Sequence, residues 1–588
     1  MISYRIDIAD AHAHLFRVTL TVPLPATEQT LSLPAWIPGS YLVREFARHL
    51  SGLQARQGSR EVALQQLDKA TWRAPCQGRA ALTLSYLVYA FDTSVRAAFL
   101  DAHRGFFNGT GMCLRVHGRE DEAHQLQLRA LPAGWAVASA LPALQVDARG
   151  LGVYEAGDYD ELVDHPVELG RFWRGEFKAA GVPHEFVVAG ALPDFDGERL
   201  LDDARRICET EIAFWHGPPS RRAGSAGKPP FKRYVFLLNA VEDGYGGLEH
   251  RASTALIAAR RDLPQRGKTD LSDGYVTLLG LISHEYFHTW NVKRLRPQEF
   301  TRYDYTQENY TRLLWFFEGF TSYYDDLLLL RAGLIDEARY LKLLAKTVSG
   351  VLATPGRKLQ SVAQASFDAW VKYYHSDENT PNATVSYYTK GSLVALALDL
   401  TLRAESQGSL DDVMRLLWER SAGGPISEDD IREALKRVAG RSLDRELNAW
   451  VHGTTDIPLR PLLAKARVTW ASQPPTMAQR WGVRASESAL TGIKISAVLR
   501  SSAAERAGLT AGDEVLAVNG WRIRRLDEAQ RVLAADGAAA VLLVRDQRIL
   551  TLDLTLDEAA ENGALTFGLI AEETPQAAPS MRQAWWRA

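Results

Sequence analysis

His284-Glu285-Tyr286-Phe287-His288, followed thirty residues on by Glu318 in Trp315-Phe316-Phe317-Glu318-Gly319-Phe320, has the residue types and spacing of a catalytic zinc centre. On a helix, residues i and i+4 share a face, so His284 and His288 can present two imidazoles to one metal. Glu285 lies one step around the helix, where it can act as general base on a metal-bound water. Glu318, from a following helix, can be the third ligand. Three protein ligands leave a fourth position open, which marks a catalytic zinc and implies one Zn2+ per chain.

These residues need helices to hold them. Ser272-Asp273 reads as an N-cap, residues 276–282 as an apolar run, and Lys293-Arg294-Leu295-Arg296-Pro297 as a basic helix end with a proline stop. The pattern predicts one long, partly buried helix around the motif. A second helix is predicted over about residues 311–330, with Glu318 beside an apolar stripe. A carboxylate in that setting is costly to bury alone, and a metal is a natural partner. The plainer alternative, a solvated helix with two surface histidines, fits this context poorly.

Composition sets the frame. A chain of 588 residues is long enough for three or four domains. The apolar share of 46%, charged share of 24% and net charge of −3 give no basic excess for nucleic acid. Cys76, Cys113 and Cys208 are odd in number and widely spaced, so neither a disulfide framework nor a thiolate metal site is expected. Met1 to Asp7 alternates like a strand and does not resemble a signal peptide. No apolar run reaches the roughly 18 residues of a membrane span. The expected location is the cytoplasm, or the periplasm if a leader has been removed.

The expected fold class is multidomain α+β. Residues 1–165 read as a β domain, 166–330 as an α/β catalytic domain, 331–465 as a helical domain and 476–573 as a further small domain, with a loosely ordered tail over 574–588. The run from Ser502 to Gly520 (SAAERAGLTAGDEVLAVNG) resembles the signature of a PDZ domain in its bacterial form, with a helix starting near Asp527. Trp481-Gly482-Val483, after Arg480, fits the carboxylate-binding loop of such a domain. The resemblance implies capture of a peptide or protein C-terminus by strand addition. A packed structural role is the alternative.

Two further elements could complete the site. Gly244-Tyr245-Gly246-Gly247-Leu248-Glu249-His250 precedes a strand over Ser253–Ala259. In thermolysin-like enzymes an edge strand lies across the cleft, and a glutamate there could hold a substrate's free α-amino group, making an exopeptidase. The alternative is a glycine-rich turn with a solvated Glu249. Tyr387-Tyr388-Thr389-Lys390-Gly391 opens an apolar helix. Tyr388 could donate to an oxyanion, or be an ordinary core tyrosine.

The string from His284 to Pro297 (HEYFHTWNVKRLRP), with Trp315 to Tyr324, resembles the glycyl aminopeptidase family of glutamate-zincins, as do Pro34 to Tyr41 (PAWIPGSY) and Phe106 to Gly111 (FFNGTG). The resemblance covers nearly the whole chain. It implies an N-terminal β domain, a thermolysin-like α/β catalytic domain, an α-helical domain and a C-terminal PDZ domain. In the related aminopeptidase N group, Gly-x-Met-Glu-Asn binds the substrate amine and Tyr-x-Lys-Gly supplies the catalytic tyrosine. Gly246-Gly247-Leu248-Glu249-His250 and Tyr388-Thr389-Lys390-Gly391 match these, with Leu248 and His250 in place of Met and Asn. The longer spacing from His288 to Glu318 implies an insertion near residues 300–307 that shapes the cleft. The implied activity is a zinc aminopeptidase acting on peptides with a free N-terminus, glycine first and alanine next. Its rivals are a zinc endopeptidase fed by the PDZ domain, and a non-catalytic PDZ scaffold that would have no use for Glu285.

Overall fold

The computed structural model describes residues 1–217, 227–488, 490–534, 537–556, 563–570 and 580–587. The chain forms two compact units, residues 1–310 with 418–426, and residues 311–417 with those from 427 onward.

The first unit begins with β structure, as its alternating sequence requires. Ile2–Asp10 lies inside an eight-stranded sheet, antiparallel to Leu15–Val22 and parallel to His124–Leu128. Ile2, Tyr4 and Ile6 share one buried face with Phe16, Val18 and Leu20, because side chains alternate along a strand. Three buried tyrosines donate to successive carbonyls: Tyr86 to Met112, Tyr159 to Cys113 and Tyr4 to Leu114. They satisfy backbone that would otherwise be buried without partners. All three cysteines are buried and unpaired.

A five-stranded sheet follows, formed by β1 (Trp173–Ala179), β2 (Val182–Ala189), β3 (Tyr234–Val241), β4 (Tyr245–Glu249) and β5 (Ser253–Ala259). Its order is β1-β2-β3-β5-β4. The inner strands β2, β3 and β5 are parallel, and β4 is an antiparallel edge. Helix α1 (Gly197–His216) packs against helix α2 (Asp273–Phe287), which carries the metal motif. Ser272 Oγ accepts from Tyr275 N, so the expected N-cap is present. The expected C-terminus is not. The α-helix ends at Phe287 with His288 as its cap, ahead of the basic run to Pro297. Trp290 and Asn291 N–H groups turn back to Phe287 O, and Val292 takes φ of +121°, which no helix continues through. The motif therefore closes a helix. The segment over 300–307 docks on the 34–41 loop: Trp36 Nε1 donates to Asp304 O and Ala35 N to Tyr305 O.

In the second unit the helix expected over 311–330 is broken at Glu318 into Leu314–Phe317 and α3 (Gly319–Arg331). Helix α4 (Thr389–Glu405) runs buried through the helical part. It crosses α3 so closely that a Cβ added at Gly391 would lie 2.6 Å from Trp315 O and 2.9 Å from Gly319 Cα. Further helices lead to Lys465. A six-stranded sheet then forms the small C-terminal domain, with its own core of Ile493, Val515, Val541 and neighbours. Its last strand ends at Thr555. The strand Leu565–Leu569, expected to belong with it, pairs instead with Val468–Ser472.

The tail also differs from expectation. Met581–Trp586 is a helix, with Trp585 and Trp586 buried and Trp585 Nε1 donating to Tyr323 Oη. Two indoles offer enough apolar surface to order a short segment. Residues 574–579 and 588 of that tail lie outside the described residues. Among the described residues, no helix is long and apolar enough to cross a membrane.

Candidate active site

The two histidines of the motif converge: His288 Nε2 lies 3.1 Å from His284 Nε2. His288 Nδ1 is 2.7 Å from Asn291 O, which can only accept, so Nδ1 carries the proton and Nε2 presents its lone pair. Glu318, in the second unit, is buried and follows the helix Leu314–Phe317. Two imidazole nitrogens and a carboxylate are the donor set that zinc accepts at a catalytic site, so the residues present fit the metal.

Gly246 and Gly247 let strand β4 approach helix α2. A Cβ on Gly247 would overlap the Glu285 carboxylate, so glycine leaves room for that side chain. Glu249, two residues on, shares this face of the strand. Its carboxylate lies against Gly39 of the 34–41 loop, where an added Cβ would be 2.6 Å from both oxygens and φ is +91°. Glu249 is 4% exposed, and its Oε1 has no hydrogen-bond partner among the described residues. This removes the solvated-turn alternative. A buried carboxylate oxygen without a partner is unfavourable and would be relieved by a cation.

His250 serves a different contact. It is fully buried, with Nδ1 3.3 Å from Asp164 Oδ1. Asp164 also accepts from Lys293 Nζ at 2.7 Å and from Arg251 N at 2.9 Å. Burial opposes the charged form of Asp164, but Lys293 and His250 hold its carboxyl well below the usual range. The Asp164 cluster thus ties the end of β4 to the turn after His288. Sequence reading missed it, because Asp164 lies 86 residues from His250 and belongs to no local pattern.

Tyr388 caps α4, and its Oη is 3.1 Å from Tyr374 Oη. Burial, then the charge of Glu318, pushes its phenol well above the ordinary value, so it stays a neutral donor. The Gly319–Gly391 crossing brings Tyr388 to Glu318. Tyr374 carried no sequence signal. In the C-terminal domain, Trp481 is fully buried and Gly482 takes φ of +75° as a helix cap. Val483 begins a strand at the edge of the sheet.

Comparison with known proteins agrees with this architecture. Residues 3–171 match the Peptidase M61 N-terminal domain, 277–394 the M61 glycyl aminopeptidase and 494–546 a PDZ domain. The crystal structure of an aminopeptidase N family protein from Idiomarina loihiensis is 36% identical, with all of both chains covered and a TM-score of 0.92. An M1 zinc metallopeptidase from Deinococcus radiodurans matches at 17% identity, covering 78% of this chain and 95% of its own, with a TM-score of 0.47. No curated protein matches. Fold and family together define a metallopeptidase with an N-terminal β domain, a helical middle region and a PDZ domain. The chain belongs to the M61 glycyl aminopeptidase family.

Proposed function

We propose that this protein removes single residues from the free N-terminus of peptides, glycine first and alanine next, with one zinc held by His284, His288 and Glu318. The observation that carries the reading is the buried Glu249 carboxylate, with Oε1 unpartnered, on the face of β4 that meets Glu285. Zinc at the three ligands would supply an electrophile that acidifies water and polarises a carbonyl.

Glu249 pairs with the substrate's α-ammonium group and so sets the cut after one residue. Glu285 takes a proton from the attacking water and returns it to the leaving amine. Tyr388, protonated across the neutral range, donates to the carbonyl oxygen as charge develops there. The preference for small first residues rests on the match to the glycyl aminopeptidase family. The endopeptidase rival has no role for a buried amine-binding carboxylate. The scaffold rival has none for Glu285. The edge strand Val483–Ser488 is the proposed place for a peptide C-terminus at the PDZ domain.

The test pairs metal analysis with blocked substrates. About one zinc per chain is expected, with poor cleavage of N-acetylated glycyl peptides. Glu249→Ala should lower kcat/KM for free glycyl substrates by roughly tenfold or more, about 1.4 kcal/mol. Equal cleavage of free and acetylated peptides would overturn the aminopeptidase reading.

A further inference from the structure

The free edge of β4 holds a second charged group. Leu248 O accepts from Thr254 Oγ1 and His250 N donates to Ser253 O, so both residues face β5. Successive residues of an antiparallel strand direct their N–H and C=O to opposite sides. Gly247 and Glu249 therefore turn theirs toward the open edge. There Arg96 Nη2 donates to Gly247 O at 2.9 Å. Arg96 Nη1 lies 3.7 Å from where a Cβ on Gly246 would be. Its Nε is buried without a hydrogen-bond partner, and no carboxylate among the described residues pairs with this guanidinium. A partly buried cation without a counter-ion is a site prepared for an anion.

The strand also sets a direction and a length. Tyr245 is 64% exposed and Glu249 is 4% exposed, so the edge opens to solvent at the Tyr245 end and is closed at Glu249. A peptide with its amine on Glu249 must then run antiparallel to β4, toward Tyr245. From Glu249 back to Gly247 is two residues, roughly 7 Å of strand. An extended dipeptide covers about the same length.

We infer that Arg96 binds the free C-terminal carboxylate of a dipeptide whose amine is held by Glu249, so that the preferred substrates are dipeptides with a small first residue. A longer chain presents a neutral carbonyl at this point. It also finds Gly247 O already occupied by Arg96, so strand pairing stops there. The inference rests on the aminopeptidase reading and adds the substrate's length and its second charged end.

The experiment compares glycyl-alanine, glycyl-alanine amide and glycine p-nitroanilide as substrates of the zinc-loaded protein. The wild type should prefer the free acid over the amide by at least roughly tenfold in kcat/KM, mostly through KM. In Arg96→Gln that ratio should fall to near one, while Arg96→Lys, which keeps the charge and loses the fork, should retain part of it. Equal rates on acid and amide in the wild type overturn the inference and leave the aminopeptidase reading standing. An unchanged ratio in Arg96→Gln does the same. Failure to cleave any of the three overturns the aminopeptidase reading itself. The wild-type comparison decides the matter even if a variant does not fold.

Discussion

Gly391 offers a sharp test of how the second unit positions its catalytic groups. In Gly391→Ala the new Cβ would sit 2.6 Å from Trp315 O, about 0.8 Å short of an ordinary contact of 3.4 Å. Gly319 Cα stands on the same side at 2.9 Å. Neither atom belongs to a flexible side chain, so α3 and α4 must separate. Overpacking of this kind costs about 1–3 kcal/mol. The larger effect falls on the chemistry, because Glu318 adjoins Gly319 and Tyr388 lies three residues before Gly391. Misplacing a catalytic group by about 1 Å costs on the order of 10²-fold, or ~2.7 kcal/mol. The variant should therefore unfold a few degrees lower and lose roughly 10²-fold in kcat on glycine p-nitroanilide. Gly350→Ala is the matched control. Gly350 is exposed in the helix Glu337–Leu352, with nothing within 4 Å of the new Cβ. That change should be neutral for activity and stabilise by roughly 0.5–1 kcal/mol. Thermal unfolding and steady-state kinetics on both variants make the comparison. A Gly391→Ala protein with wild-type kcat and an unlowered Tm would refute the close-crossing argument.

Glu285→Gln should retain zinc and lose roughly 10²–10⁴-fold in turnover; substantial activity with bound metal would assign the base elsewhere. Tyr388→Phe should lower kcat by roughly 10²-fold with little change in KM, and a wild-type rate would return Tyr388 to a packing role. Lys293→Met should destabilise the protein by roughly 3–5 kcal/mol, since it leaves Asp164 buried without its main counter-ion. The pH dependence has a definite sign. A depressed folded pKa stabilises above the unfolded carboxylate value near 3.9, and that stability is lost as pH falls through the folded value. The gap between wild type and Lys293→Met in urea unfolding should thus be wide at pH 7, start to close as pH falls below about 4, and close fully only at the lower pH where the folded Asp164 carboxyl protonates. A gap that widened on acidification would contradict the pairing.

What the sequence made legible was local in every case. His284, Glu285 and His288 are read from one helical turn, and the strand Ser253–Ala259 appears where it is expected. Lys293 to Pro297 carries the composition of a helix terminus, yet α2 ends at Phe287. The actual stop is a backbone reversal just after the motif, where Trp290 and Asn291 N–H groups return to Phe287 O and Val292 takes φ of +121°, a turn that no residue type there announces. The residues that surround the substrate site are harder still. Arg96 reaches Gly247 across 151 positions, and Gly39 meets Glu249 across 210. An arginine with no carboxylate partner and a glycine in a loop look like ordinary surface choices until the strand they address is in place. The motif glycines fall between these cases. Gly247 and Gly391 stand out in the sequence as part of their motifs, yet a glycine shows only that something must come close. In one case it is the Glu285 carboxylate, and in the other the backbone beside Glu318. The metal ligands could be inferred from types and spacing, whereas the groups that select the substrate depend on packing between distant segments, and it is these that the Arg96 and Glu249 substitutions address.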